Sequence, residues 1–230
     1  MLRRIGLMGI FLAAPLLVSA AAFAQGGYKV EPASLPAGAD IPAALAAMLQ
    51  PQGSKVIDSS GATVCEIWLG NAIPLTATTN SSPDVMYGNL AVSALVGAIH
   101  FPTKSSDFRG QAIKPGYYTL RYGQTPQDGN HMGVNPTRDF LVMSPVAQDT
   151  NLSAIFSLQD LVKLSKLASG TNHPAILEMD PAGTGPAASV TQDSQGYTVL
   201  SALAQSKTAA GQAQPLNLSV VVVGQAPPTE

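Results

Sequence analysis

The sequence LVGAIHFPTKSSDFRGQAIKPGYYTLRYGQTPQDGNHMGVNPTRDFLVMSPVAQ, residues 95–148, decides the fold class because it holds three strand-like runs separated by turns. The clearest run is GYYTLRY, in which Tyr118, Leu120 and Tyr122 point to one face and the residues between them to the other. The turn before it is Lys-Pro-Gly, where proline presets φ and glycine takes a positive φ. This stretch therefore predicts neighbouring antiparallel strands.

Strand patterns continue on both sides of this stretch. Residues 55–58 and 62–69 flank a Ser-Ser-Gly turn typical of a hairpin, and further strand patterns lie at 175–179, 197–202 and 216–223. About eight strands without alternating crossover helices predict a mainly β protein. The expected architecture is an antiparallel β-sandwich with jelly-roll or immunoglobulin-like topology and two short helices.

The two helices are predicted from their end signals. Residues 41–50 are alanine-rich, with Asp40 positioned as the N-cap and a proline in the first turn. The second helix begins at Ser157, which is followed three residues later by Asp160, and it ends at Gly170 in the C-cap position.

The first 24 residues have the pattern of a signal peptide. Arg3 and Arg4 precede an apolar run, and Ala22-Phe23-Ala24 provides the small residues of a cleavage site. The apolar run is too short for a bilayer span and no comparable run follows, so no transmembrane segment is expected in the mature chain. The expected location is the periplasm or the exterior of the cell.

The predicted organisation has four parts: a signal peptide at 1–24, an N-terminal arm and short helix at 25–53, a single β-sandwich domain at 54–224, and a tail at 225–230. Without its leader the chain carries 10 basic and 14 acidic side chains, a net charge of −4. This charge excludes nucleic acid as an expected partner. The single cysteine, Cys65, lies in an apolar strand and is expected to pack as a small buried hydrophobe.

The turn and strand KPGYYTLRY, residues 114–122, resemble the "pAGtYtL" strand of the DUF2911-like group of exported bacterial β-sandwich proteins. The resemblance covers residues 93–145. The chain departs from that group after this strand, where it has DGNHMGVNPTRDF instead of a strand rich in lysine and tryptophan. The resemblance implies a β-sandwich and no particular activity.

The loop Asp128–Met132 is the most site-like segment of the sequence. Its glycines would allow close backbone approach to a ligand, and its polar side chains are potential ligand donors. The next strand begins with two charged residues. The candidate ligand-binding residues are Asp128, Asn130, His131, Arg138 and Asp139. The alternative is a glycine-rich turn whose Asp and Asn side chains bond to their own backbone.

The sequence contains no catalytic or metal-binding motif that predicts a site as clearly as this loop does. The three histidines, at positions 100, 131 and 173, are scattered, and neither a metal nor a cofactor is predicted. There is no G-x-S-x-G nucleophile motif. A carboxylate pair for glycoside hydrolysis would have to combine Glu66 with Glu178 or Asp180.

Charged residues cluster around three neighbouring predicted strands: Asp107, Arg109, Lys114, Arg121, Arg138 and Asp139. The preferred interpretation is a salt-bridged sheet surface, and the alternative is a site for an anionic or polar ligand. Together these patterns predict a non-enzymatic binding module of the cell envelope, with an unknown protein, glycan or small molecule as its ligand. The alternative function is an envelope enzyme or metal-binding protein that uses the Asp128–Met132 loop.

Overall fold

The computed structural model describes residues 27–38, 40–127 and 137–227. Within these ranges the chain forms thirteen strands and two helices. In chain order they are β1 (Lys29–Ser34), α1 (Ala43–Ala46), β2 (Gln52–Ile57), β3 (Thr63–Leu69), β4 (Ile73–Pro74), β5 (Leu95–Phe101), β6 (Ser105–Ser106), β7 (Ala112–Ile113), β8 (Gly116–Gln124), β9 (Asp139–Pro145), α2 (Leu158–Ser169), β10 (Ala175–Asp180), β11 (Ser189–Gln192), β12 (Thr198–Lys207) and β13 (Ala213–Val223).

Eleven of the described strands form one curved sheet. Its order is β1-β2-β3-β5-β8-β9-β10-β13-β12-β11, with β4 running parallel to the end of β12. The other neighbours in this sheet are antiparallel, and β6 and β7 form a separate two-stranded sheet. The sheet curls until β1 lies against β11 and β3 lies against β12. The predicted mainly β, sandwich-like class with two helices is confirmed.

The main core fills the interior of the curled sheet. Tyr118, Leu120 and Tyr122 of β8 all point into it, as their alternation predicts. Cys65 is fully buried in the same core, and burial raises the pKa of its thiol to about 12. The predicted packing role of this cysteine is therefore confirmed.

The segment predicted as an arm contributes an edge strand, because β1 pairs with β2 over its whole length. The indole Nε1 of Trp68 donates to the carbonyl of Ala33 at 3.2 Å and holds this strand in place. The helix after it is shorter than expected. Its N-cap residue is Pro42, with no side-chain capping bond, so the prediction of Asp40 as the cap is wrong.

Helix α2 covers part of the outer face of the sheet. The Ser157 side chain accepts a hydrogen bond from the Asp160 N–H at 3.2 Å, and Gly170 ends the helix with a φ of 66°. Both predicted helix ends are confirmed. Leu161 is fully buried in an outer apolar cluster formed with Phe140 and Ile176.

The predicted salt-bridged surface is wrong for three of its six members. Asp107, Arg121 and Asp139 are each fully buried. They are buried because loops fold over the outer face and the ends of the strands. Loop N–H groups donate to the two carboxylates, and the guanidinium of Arg121 donates to loop carbonyls.

Candidate functional site

Of the five predicted site residues, Asp128, Asn130 and His131 lie outside the described residues. Arg138 lies at the base of the β8–β9 connection. Its Nε donates to the Thr125 carbonyl at 2.8 Å, and the Thr125 N–H donates back to the Arg138 carbonyl at 2.8 Å. The guanidinium is 3.8 Å from the carboxylate of Asp84. Arg138 therefore holds together the two chain segments from which this loop leaves the sheet.

The Asp139 side chain is hydrogen-bonded to the loop before β5. Its carboxylate accepts the N–H groups of Met86, at 2.8 Å, and of Tyr87, at 3.1 Å, and the Tyr122 hydroxyl at 2.5 Å. Burial, followed by this bond to Asp139, raises the pKa of Tyr122, so its hydroxyl stays a donor. Because these three donors occupy a carboxylate with no exposed surface, Asp139 acts as a structural anchor.

A cleft with a polar rim lies beside this loop base, between α2 and the outer face of β9 and β10. Its volume is about 490 Å³. The floor is apolar and the rim carries positive charge. The floor residues are Phe140, Leu158, Val162 and Ile176; the basic rim residues are Arg109, Lys163, Lys166 and His173. Thr125 and Pro126, at the stem of the β8–β9 loop, form one wall.

Helix α2 presents one face to the cleft. Residues 159, 162, 163 and 166 recur at helical spacing and all line it. The opposite face is fixed by Ser165, whose hydroxyl donates to the Met143 carbonyl at 2.6 Å and accepts the Ala175 N–H at 2.9 Å. This buried serine joins the helix to β9 and β10 and so sets the direction of the two lysines.

The β6–β7 turn is fixed by Asp107. Its carboxylate accepts the N–H groups of Arg109, at 3.0 Å, Gln111, at 2.7 Å, and Ile176, at 3.1 Å. Burial raises the pKa of Asp107, and its hydrogen bonds from Gln111 and Ile176 oppose that shift. The result is a turn bonded to the start of β10, with Arg109 projecting beside the cleft.

The segment after α2 completes the rim. The Ser169 hydroxyl donates to the His173 carbonyl at 2.7 Å, and the Gln111 side-chain amide donates to the Pro174 carbonyl at 2.8 Å. The Thr171 hydroxyl also bonds to the Gln111 side chain. The β6–β7 turn and the segment after α2 thus meet at one cleft through polar contacts that are partly buried or exposed.

The charged side chains among the described lining residues of this cleft are all basic. No acidic side chain is among its described lining residues. Lys163 pairs with Asp160 at 3.0 Å on the exposed helix surface. Within the described ranges, neither Arg109 nor Lys166 has a carboxylate oxygen within 4.0 Å. An apolar floor below such cations suits a ligand with an apolar body and a negative group.

Histidine 100 belongs to a different part of the surface. Its Nδ1 is 2.9 Å from Glu66 Oε2, and its ring stacks on Tyr117 with centroids 4.1 Å apart. These residues face each other on adjacent strands, together with Lys55 and Glu31. No group of three or more potential His, Cys, Asp or Glu metal ligands occurs among the described residues.

The carboxylate pair proposed for glycoside hydrolysis does not form. Glu66 lies on β3 and Glu178 on β10, with β5, β8 and β9 between them. Four strand spacings amount to roughly 19 Å. Hydrolases of this kind need carboxyl groups only about 5–10 Å apart. Asp180 lies on the same strand as Glu178 and is excluded by the same separation.

Glu178 nevertheless has an unusual environment. It is 4% exposed, its Oε1 accepts from the Thr137 hydroxyl at 3.1 Å, and its Oε2 has no partner among the described residues. Burial, with added repulsion from Asp139 and Asp180, raises its pKa to about 8. The carboxyl is therefore largely protonated at neutral pH.

Comparisons of the chain with protein-family models, curated proteins and solved structures find no match. The resemblance of residues 93–145 to the DUF2911-like group is therefore neither supported nor contradicted. Among the described residues no helix is both long and apolar enough to cross a membrane.

Proposed function

We propose that this chain is an exported, non-enzymatic binding protein of the cell envelope whose ligand is a small amphiphilic anion. The observation that carries the proposal is the cleft between α2 and the sheet, where Arg109, Lys163 and Lys166 surround an apolar floor. A carboxylate, sulfonate or phosphate would bind at the rim, and a hydrocarbon or aromatic body would rest on Phe140 and Ile176.

Two terms would contribute to the affinity. Apolar contact with the floor contributes about 25 cal/mol for each Å² removed from water. The basic rim adds attraction that salt weakens, because charges at an open surface are screened over about 10 Å at 0.1 M salt. Binding should therefore be strongest for ligands that have both parts, and its salt dependence should follow the ligand's charge.

A matched pair of dyes tests this cleft. The protein is expected to bind 8-anilino-1-naphthalenesulfonate more tightly than N-phenyl-1-naphthylamine, which has the same rings without the sulfonate. Replacing both Arg109 and Lys166 by alanine is expected to weaken binding of the sulfonate about tenfold, since each open-surface cation contributes under about 1 kcal/mol. Fluorescence titrations at low and high salt measure both effects.

Lys207→Ala is the matched control, because Lys207 is an exposed lysine on β12 that does not line the cleft. It should leave the affinity for both dyes unchanged. Equal affinity of the double alanine variant and the unmodified protein for the sulfonated dye would contradict the proposal.

Export is tested by the mature N-terminus. In cells that export the chain, the protein is expected to accumulate in the periplasm or the medium with Gln25 as its first residue. Replacing Ala22 and Ala24 by bulky residues should retain the leader, because the cleavage site requires small side chains. Intact-mass measurement after fractionation checks this, and full-length protein in the cytoplasm would refute export. The alternative function, an enzyme or metal-binding protein using the Asp128–Met132 loop, stays a prediction.

A further inference from the structure

The curled sheet has a gap on the side away from α2. Strand β12 pairs with β13 along one edge, while its other edge meets β11 at residues 198–201 and β4 at residues 206–207. Between these two pairings, residues 202–204 have no strand partner on this second edge in the described part of the chain. The Gln50 side-chain amide bridges this gap by donating to the carbonyls of Leu203, at 3.2 Å, and Gly70, at 3.3 Å.

A cavity of about 250 Å³ opens through this gap into the core. Its inner walls are apolar and come from both sides of the curled sheet: Ile67, Leu69, Leu200, Leu218 and Val220. Ala202 points into the same space, and its small side chain leaves the volume unfilled. Since a cavity of about 150 Å³ with such a lining binds benzene, this space is large enough for a short hydrocarbon chain or a small ring.

The mouth of the cavity is polar but uncharged. Gln50, Gln52 and Ser54 lie there, and no charged side chain is among the described lining residues. Ser54 is only 7% exposed, it lines the cavity, and its hydroxyl makes no hydrogen bond to another described residue. A polar group of a ligand at the mouth can hydrogen-bond to this hydroxyl.

We propose that this gap is a second binding site, which takes an uncharged hydrocarbon with a hydrogen-bonding end such as an alcohol, amide or ester. The hydrocarbon occupies the space beside Ala202, and the polar end bonds to Ser54. This site differs from the α2 cleft in both position and ligand class, since the cleft rim is cationic and this mouth is neutral.

Filling the cavity tests the first half of this proposal. Ala202→Leu should weaken binding of 1-octanol at least about tenfold, because the added side chain occupies the space that the hydrocarbon chain needs. The same variant should bind 8-anilino-1-naphthalenesulfonate as the unmodified protein does. Ala210→Leu, which adds the same side chain at an exposed turn, should bind both probes normally. Thermal unfolding verifies that each variant is folded.

A variant without the Ser54 hydroxyl tests the second half of the proposal, the hydrogen bond to the polar end of the ligand. The unmodified protein should bind 1-octanol more tightly than n-octane, and Ser54→Ala should reduce this preference about threefold or more, the value of a weak hydrogen bond. Ser54→Ala leaves the cavity open, so this variant still tests the proposal if Ala202→Leu does not fold. The proposal is overturned if the unmodified protein does not bind 1-octanol, if Ala202→Leu binds it normally, or if Ser54→Ala leaves the octanol preference unchanged.

Discussion

Replacing Arg121 by methionine is expected to destabilise the folded chain by about 3–5 kcal/mol, the usual cost of breaking a buried ion pair. Arg121 has no exposed surface, and its Nε and one terminal nitrogen bond the two carboxylate oxygens of Asp149 at 2.7 and 3.0 Å. Methionine keeps much of the volume of the side chain but has no donor. A buried carboxylate would then keep only the Thr119 hydroxyl, at 2.7 Å, among its described side-chain donors.

Replacing Arg121 also removes hydrogen bonds to groups other than the Asp149 carboxylate. Four backbone carbonyls accept from the same guanidinium: those of Ser93, Asn151, Leu152 and Ala154. The guanidinium carbon also lies 4.7 Å from the centre of the Phe156 ring. Arg121 therefore orders residues 149–154 of the connection between β9 and α2, and its removal leaves several buried or partly buried acceptors unsatisfied at once.

Urea denaturation measures this effect, with Lys104→Met as the control. Lys104 is exposed, and its replacement should change the free energy of unfolding by less than about 0.5 kcal/mol. The double variant Arg121→Met/Asp149→Leu should recover part of the loss, since it removes the unpaired carboxylate but not the unpaired carbonyls. A loss of under about 1 kcal/mol in Arg121→Met would contradict the role assigned to this pair.

Replacing Glu178 by glutamine is expected to change how stability depends on pH. Burial is the main reason that the pKa of Glu178 rises from 4.5 to about 8 in the folded chain. Between these values the folded chain holds one more proton than the unfolded chain, so the free energy of unfolding falls as pH rises. The decrease is on the order of 5 kcal/mol, from about 1.4 kcal/mol for each pKa unit.

Glutamine has nearly the shape of the protonated carboxyl, stays neutral and can still accept from Thr137. Glu178→Gln should therefore match the unmodified protein near pH 4.5 and exceed its stability by several kcal/mol at pH 8.5. Urea denaturation at four pH values between these limits measures how the free energy of unfolding changes with pH.

The control is Glu31→Gln, which changes a half-exposed carboxylate on β1. Hydrogen bonds from Lys29 and Lys55 lower the pKa of Glu31, so its contribution has the opposite sign and is lost as pH falls. Parallel stability curves for Glu178→Gln and the unmodified protein would show that this carboxyl is not protonated in the folded state at neutral pH.

Features encoded by short-range patterns could be predicted from the sequence. The alternation of Tyr118, Leu120 and Tyr122 predicts a strand with one buried face, because successive strand residues point to opposite sides. Ser157 and Gly170 predict the ends of α2 for equally local reasons, since each satisfies backbone groups within one turn.

Features that depend on distant partners could not be predicted. The alternating pattern of its strand predicts that Arg121 lies on the surface. Its burial is explained only by its ion pair with Asp149, 28 positions later in the chain. The α2 cleft combines the β6–β7 turn, the helix and the start of β10, which are joined through Asp107 and Ser165. No local spacing relates these segments, so the sequence pointed instead to the glycine-rich segment 128–133, where the polar residues are contiguous.

The most direct test of the proposed anion site is a methyl-resolved NMR titration of the protein with decanoate. The account predicts that the largest shifts fall on the methyl groups of Ile176, Val162 and Leu158, which line the α2 cleft, and that they diminish in the Arg109→Ala/Lys166→Ala variant. Shifts centred instead on Leu200 and Leu218, inside the curled sheet, or no shifts at all, would contradict an anion site beside α2.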